Sequence, residues 1–185
     1  MPHSRLELES LSRDYRPGIT SHVGGFMAEA VSVCLDSQQH KNRVTLSVKG
    51  AFNGEYLIYF GVVTSHLQRS HGDAEVATEY GAYGISILLI DANTEFTVIE
   101  RSRKGTRFDY WLGRNSPSGI NYQEKLRRFQ DKSRLEASGI RKGTDGDVNS
   151  RMRTKLAQIA RSDDSLPAYV IVVEFGSPKA RVVEQ

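Results

Sequence analysis

The sequence predicts a mixed α/β domain: a central β-sheet with a helix-strand-strand-strand-helix-strand core, preceded by an N-terminal helix and a β-hairpin. Three features predict it. Val44, Leu46 and Val48 alternate with polar residues before Asn53-Gly54, and Tyr56, Ile58 and Phe60 alternate after it, as a hairpin requires. Residues 73–90 carry apolar side chains at helical spacing. Tyr169–Phe175, apolar but for Glu174, reads as a fully buried strand of the kind that fills the middle of a sheet.

The elements follow in order. Residues 1–20 are polar, contain Pro2 and Pro17, and show no period, so they read as a flexible arm ahead of one domain over residues 21–185. A helix begins at Thr20 or Ser21, with Phe26, Ala30, Val33 and Cys34 on one face. The hairpin comes next, with a type I′ turn expected at Asn53-Gly54. Together these elements form an addition over residues 21–72. In the long helix, Asp73 is the N-cap and Tyr80, Tyr83, Ile87 and Ile90 are the buried stripe. Gly81 and Gly84 are poor helix formers and imply that another element, such as the sheet, lies close.

Strands are then expected at Phe96–Ser102, Phe108–Leu112 and Arg134–Ile140, with a basic insertion over residues 113–132 that holds a helical turn near Gln123–Phe129. Asp147 is placed as the cap of a helix whose stripe is Val148, Met152, Leu156 and Ile159. Pro167 precedes the buried strand Tyr169–Phe175, and the core spans residues 73–175.

Composition narrows the classes of function. With 38% hydrophobic and 25% charged residues over 185 positions, the chain can bury a core and is neither disordered nor membrane-spanning. No apolar run approaches the ~18 residues of a membrane span, and the N-terminus lacks the order of a secretory signal. The single cysteine, Cys34, has no internal disulfide partner and reads as core, and a cytoplasmic location is expected. No Gly-x-x-x-x-Gly-Lys-[Ser/Thr] motif is present, which argues against a P-loop ATPase.

Charge is polarised along the chain. Residues 101–161 hold 16 Lys/Arg against 6 Asp/Glu, while the other 124 residues hold 9 against 16. A field of this shape attracts a polyanion. Arg103, Lys104, Arg107, Arg127, Arg128, Lys132, Arg134, Arg141, Arg151 and Arg153 are the candidate phosphate-contacting cations; the alternative is a solvated face. Tyr110, Trp111 and Tyr122 are candidate stacking residues, with core packing the plainer role for Trp111.

Two acids stand within apolar segments. Asp109 lies between Phe108 and Tyr110-Trp111-Leu112, and Glu136 between Leu135 and Ile140. A buried carboxylate needs a cation, a metal or hydrogen-bond donors. For Asp109 the plain alternative is an ion pair with Arg101, Arg103 or Arg107. Glu79 on the long helix is either a solvent-facing carboxylate or a third member of the site, with Glu75 as its rival. His71, near Asp73 and Glu75, is a weak metal candidate and reads more simply as a surface residue.

From residue 73 onward, this succession of elements resembles the PD-(D/E)xK nuclease superfamily. The resemblance rests on Glu79 in the first helix, Asp109 in Gly105-Thr106-Arg107-Phe108-Asp109-Tyr110, and Glu136 in Arg134-Leu135-Glu136-Ala137-Ser138. It implies a nuclease hydrolysing DNA phosphodiesters in restriction, defence or repair, with Mg2+ or Mn2+ held by Asp109, Glu136 and Glu79. The chain departs from the motif at Ser138, where the family places a lysine, and Lys142 or Lys155 would have to supply that charge. Arg107 stands where a small residue would fit a tight turn better, and the Asp109-to-Glu136 interval is long. The chain carries no recognisable target-reading module, so a protein partner for target selection, or a homodimer, is expected, and no membrane. The alternative is a non-catalytic subunit of the same fold that binds DNA or another protein, the latter through the edge of the hairpin.

Overall fold

The computed structural model describes residues 4–114, 132–161 and 166–185. Along the chain run β1 (Ser4–Leu6), α1 (Ser10–Arg13), α2 (Ser21–Asp36), β2 (Arg43–Gly50), β3 (Gly54–Tyr59), α3 (Ser65–Ser70) and α4 (Ala74–Asn93). They are followed by β4 (Phe96–Arg101), β5 (Tyr110–Arg114), β6 (Lys132–Ile140), α5 (Asp145–Ile159), β7 (Ala168–Glu174) and β8 (Lys179–Glu184). The strands form one mixed sheet in the order β1-β3-β2-β8-β7-β6-β5-β4. β4, β5 and β6 are an antiparallel meander, and α5 carries the chain over to β7, which lies parallel to β6.

Local chemistry starts the helices where the sequence asks for it. The Thr20 hydroxyl accepts from Val23 N, and Asp73 Oδ1 accepts from Glu75 N and Val76 N. For α5 the cap is Thr144, not Asp147: Asp147 is the third helical residue and completes a capping box with Thr144.

The sheet buries both faces. α2 and α4 cover one, over a core that includes Met27, Leu35, Ile58, Ile87, Leu112 and Ile171. α5 covers part of the other, where Val148, Met152 and Ile159 meet Val170 and Val172. Every residue of β7 is buried, as its apolar run predicts, and the burial extends to Glu174.

Several expectations are corrected. The N-terminal segment is not a loose arm: β1 pairs parallel with β3, and Leu6, Leu8 and Leu11 enter the core. Arg16, buried, donates from Nε to Asp91 Oδ2 at 2.7 Å and from Nη1 to Ser10 O at 2.6 Å, which fastens this segment to α4. The hairpin forms, but not through a two-residue turn at Asn53-Gly54. Val48 pairs with Gly54, and the Asn53 side chain closes the loop by donating to Gly50 O and accepting from Gly50 N. Ser47 and Val48 pair with both β3 and β8, and beyond them Lys49 and Gly50 pair with β8 alone. At Gly50, with φ 123°, a Cβ would lie 1.8 Å from Val182 O.

Gly81 and Gly84 do permit a close approach, mainly of helix α2, through Cys34, Met27 and Val31. The helix α3 and the strand β8 were not foreseen. β8 bonds to both β7 and β2, so the hairpin and the later elements share one sheet. Among the described residues, no helix is long and apolar enough to cross a membrane.

Candidate active site

Strand alternation and helix periodicity converge at one end of β5 and β6. Along β6, Leu135 and Ala137 join the α4-side core, so Glu136 and Ser138 point to the α5 side. Along α5, Val148, Met152 and Ile159 are buried, which turns Arg151, Lys155 and Gln158 toward β6 at positions i, i+4 and i+7. Between them opens a cleft of about 850 Å3, lined among others by Glu79, Tyr83, Arg101, Asp109, Glu136 and Lys155.

Asp109 immediately precedes β5, and its backbone N donates to Leu135 O at 2.8 Å, so it enters the sheet beside Glu136. Its Oδ2 accepts from Ala137 N and its Oδ1 from the Tyr83 hydroxyl, both at 2.9 Å. The same hydroxyl also lies against Glu79 Oε1, so its one proton serves one of the two carboxylates at a time. Glu136 is 2% exposed; its Oε1 accepts from Lys155 Nζ at 2.5 Å and from Gln158 Nε2 at 3.3 Å. The turn before Asp109 is left-handed at Arg107, φ 70°, a conformation that side chains adopt rarely. Its cost is offset by α5: Gln158 Nε2 donates to Arg107 O, and Arg107 Nη1 donates to Arg161 O.

The electrostatics follow from this crowding. Burial pushes Glu136 up to about 7; the neighbouring Asp109 charge adds to the rise, and Lys155 holds it back. Asp109 is also raised, by burial, against the opposing pull of Ala137 N–H, the Tyr83 hydroxyl, Lys155 and Arg101. Burial and then the charge of Asp109 hold the Tyr83 hydroxyl protonated far above the tyrosine range, so it remains a donor.

Of the acids expected at the site, Asp109 and Glu136 meet. Glu79 lines the same cleft but is joined to Asp109 through Tyr83, and its rival Glu75 lines the cleft as well. The expected three-carboxylate metal cluster is not formed: among the described residues, no group of three or more His, Cys, Asp or Glu side chains could hold a metal ion. The pair Asp109 and Glu136 does fit Mg2+ or Mn2+, because Mg2+ commonly takes one or two carboxylates and fills its other positions with water and phosphate oxygens. Two buried carboxylates side by side, one raised to about 7, are a donor set that a cation would relieve.

The cations divide sharply. Lys155 reaches the site; Lys142 does not, being exposed in the turn before α5 with its stem against Gly176. Arg103 and Lys104 are exposed at the cleft, and Arg107 and Arg151 line it, Arg151 donating to Ser138 Oγ at 3.0 Å. Arg134 is not a surface cation but is buried, donating to Leu166 O. Arg141 lines the cleft as a brace, its guanidinium donating to Thr78 Oγ1, Ser37 Oγ and Ala74 O. Arg153 is exposed and is not among the lining residues. Arg127, Arg128, Tyr122 and the side chain of Lys132 lie outside the described residues, as does the helical turn expected at Gln123–Phe129.

His71 is neither a surface residue nor a metal candidate. It is buried, stacks on Phe26 with ring centroids 4.5 Å apart, and pairs with Glu29. Tyr110 is buried and Trp111 packs on Phe108, so neither is a free stacking platform.

Three site residues escaped the sequence reading: Tyr83, Arg101 and Gln158. Tyr83 was hidden by its place in an apolar helical stripe, where its ring does pack against Tyr80 and Tyr110. Gln158 carried a usable signal, because it lies seven residues after Arg151 and three after Lys155 on the same helical face. Comparison with family models, with curated proteins and with solved structures returns no match to this chain.

Proposed function

We propose that this chain is a divalent-metal-dependent nuclease, or the nuclease subunit of a larger assembly, that hydrolyses DNA phosphodiesters. The observation that carries the proposal is the meeting of Asp109, Glu136 and Lys155 in one cleft, from a strand entry, a strand interior and a helix face far apart in sequence. The resemblance to the PD-(D/E)xK nucleases leads to the same reading, and Lys155 accounts for the charge that Ser138 lacks.

Asp109 and Glu136 would hold Mg2+ or Mn2+. Such an ion supplies a water of lowered pKa and positive charge for the phosphate oxygens. The protein supplies the rest. Ala137 N–H and the Tyr83 hydroxyl fix the direction of the Asp109 carboxylate. Lys155 opposes the rise that burial imposes on Glu136, favouring its charged form, and adds a positive charge where negative charge grows on the phosphate. Arg103, Lys104, Arg107 and Arg151 present cations at the cleft wall that suit the DNA backbone.

A second reading is a non-catalytic subunit of the same fold. It is favoured by one observation: Glu136 Oε1 is already satisfied by Lys155 and Gln158 without any metal. Incubation of the full chain with supercoiled plasmid and with single-stranded DNA, in Mg2+ or Mn2+ buffer and in EDTA, separates the two. The nuclease reading expects metal-dependent cutting that Asp109→Asn, Glu136→Gln and Lys155→Met each abolish while circular dichroism stays native. Retained DNA binding with no cutting in either metal would select the subunit reading. Cutting at the wild-type rate by a folded Asp109→Asn or Glu136→Gln variant would reject the site.

A further inference from the structure

Arg101, the last residue of β4, stands at the cleft wall in an unusual setting. Its guanidinium carbon lies 4.8 Å from the ring centroid of Tyr83 and 4.8 Å from that of Tyr110. Nη1 donates to the Tyr110 hydroxyl at 2.7 Å, and Nη2 points at the Tyr83 hydroxyl at 3.4 Å. The rings themselves meet edge to face, 5.5 Å apart. Two rigid aromatic side chains, one from α4 and one from β5, thus fix the plane of the arginine head.

Among the described residues, that head makes no ion pair with a carboxylate, although Asp109 lies near enough to feel its charge. The residue remains open to solvent. Part of its donor fork is directed at the two hydroxyls, which leaves the remaining N–H groups for a ligand. An arginine that only served the fold would be expected to close on a nearby acid, as Arg16 does on Asp91 at 2.7 Å.

We propose that Arg101 is the phosphate clamp of this site: its preset guanidinium takes a non-bridging oxygen of the DNA backbone and holds the diester against Asp109 and Glu136. The inference rests on the reading of the cleft as a DNA site and adds a binding residue to it. The chemistry favours arginine here. A planar fork meets phosphate through two parallel N–H donors, and a head that is already oriented loses little freedom on binding.

The test is equilibrium binding of a short fluorescein-labelled DNA duplex to the full chain, read by anisotropy at low salt in Ca2+ buffer, with melting temperature measured beside it. Arg101→Gln should weaken binding by about tenfold to a hundredfold, the usual range for a charge-assisted hydrogen bond. Arg101→Lys should recover only a small part, because an ammonium cannot fork. Arg5→Gln is the matched control: Arg5 also lies over a tyrosine ring, Tyr59 at 4.5 Å, but at the opposite edge of the sheet. It should bind within about twofold of wild type.

Equal affinity of Arg101→Gln and wild type, equal losses in Arg101→Gln and Arg5→Gln, or no duplex binding by the wild type would each overturn the clamp. If Arg101→Gln fails to fold, Tyr110→Phe keeps the ring and removes only the Nη1 acceptor; it should weaken binding several-fold, and unchanged binding counts against the proposal. Arg101-dependent binding without metal-dependent cutting would keep the clamp and sink the nuclease reading. Cutting with an unchanged KM in Arg101→Gln would do the reverse.

Discussion

Lys155 Nζ lies 2.5 Å from Glu136 Oε1, so a cation from α5 meets a carboxylate that β6 carries into a nearly solvent-free position. The pair joins a helix to a strand and also draws the acid toward its charged form, against the effect of burial. Lys155 is itself only 22% exposed, so water screens the contact weakly.

Lys155→Met should therefore destabilise the domain by about 3 kcal/mol, because it strands a buried acid without its cation. Adding Glu136→Gln to that variant should restore much of the loss. Urea denaturation of the two single variants and the double variant checks this. Additive losses would show that the two side chains are not coupled.

Glu136 also gives the domain a pH dependence. In the unfolded chain a glutamate titrates near ~4.3, whereas here it is pushed up to about 7. Between these values the folded state holds a proton that the unfolded state has released, so stability falls as pH rises through that window. The loss is complete above the folded value and amounts to on the order of 3 kcal/mol. Asp109, raised in the same direction, adds to the slope. In EDTA the melting temperature should be lower at about pH 8 than at about pH 5, and Glu136→Gln should flatten that difference. Millimolar Mg2+ should raise the alkaline melting temperature of the wild type and leave that of Glu136→Gln unchanged.

Tyr83 has one hydroxyl proton and two carboxylate neighbours, Glu79 and Asp109. Tyr83→Phe should cost about 1–2 kcal/mol and let the Asp109 carboxylate turn. Single-turnover cleavage at saturating Mg2+ should slow by about tenfold. Glu79→Gln should be milder, since an amide can still accept from the hydroxyl. If Glu79→Gln proved as damaging as Asp109→Asn, Glu79 would be a metal ligand after all.

The approach of β6 to α4 depends on Gly139. A Cβ there would lie 2.4 Å from Thr78 O, which is backbone and cannot turn aside. Gly139→Ala should lower stability by about 1–3 kcal/mol and displace α4, carrying Tyr83 away from Asp109. Loss of cleavage with retained DNA binding is the expected pattern; an unaltered rate would show that the site tolerates the shift.

Much of the fold was legible because its longest elements carry strong periods. α2, α4, α5 and β7 announce themselves through apolar spacing. Asp109 and Glu136 were legible for a related reason: an acid inside an apolar strand must have a partner. The choice between Lys142 and Lys155 was not. It depends on where α5 starts, which the Thr144–Asp147 capping box sets. Glu174, fully buried in β7, accepts from Gly143 N and so anchors the turn that carries Lys142. The basic set failed differently, since composition does not separate cations free for a ligand from cations such as Arg134 and Arg141 that are spent on internal oxygens. β1 was illegible because three residues carry no period; its place is fixed by β3, far along the chain.

The sheet continues past the succession of elements that resembles a nuclease: β8 hydrogen-bonds to β7 on one side and to β2 on the other. Excising residues 73–175 as a minimal fragment would delete β8 and leave β7 with a bare row of amides and carbonyls. It would also strip α2 from α4. Such a fragment would self-associate through that edge. The first sixty residues are thus a structural half of the machine, and any trimmed version of the protein has to retain them.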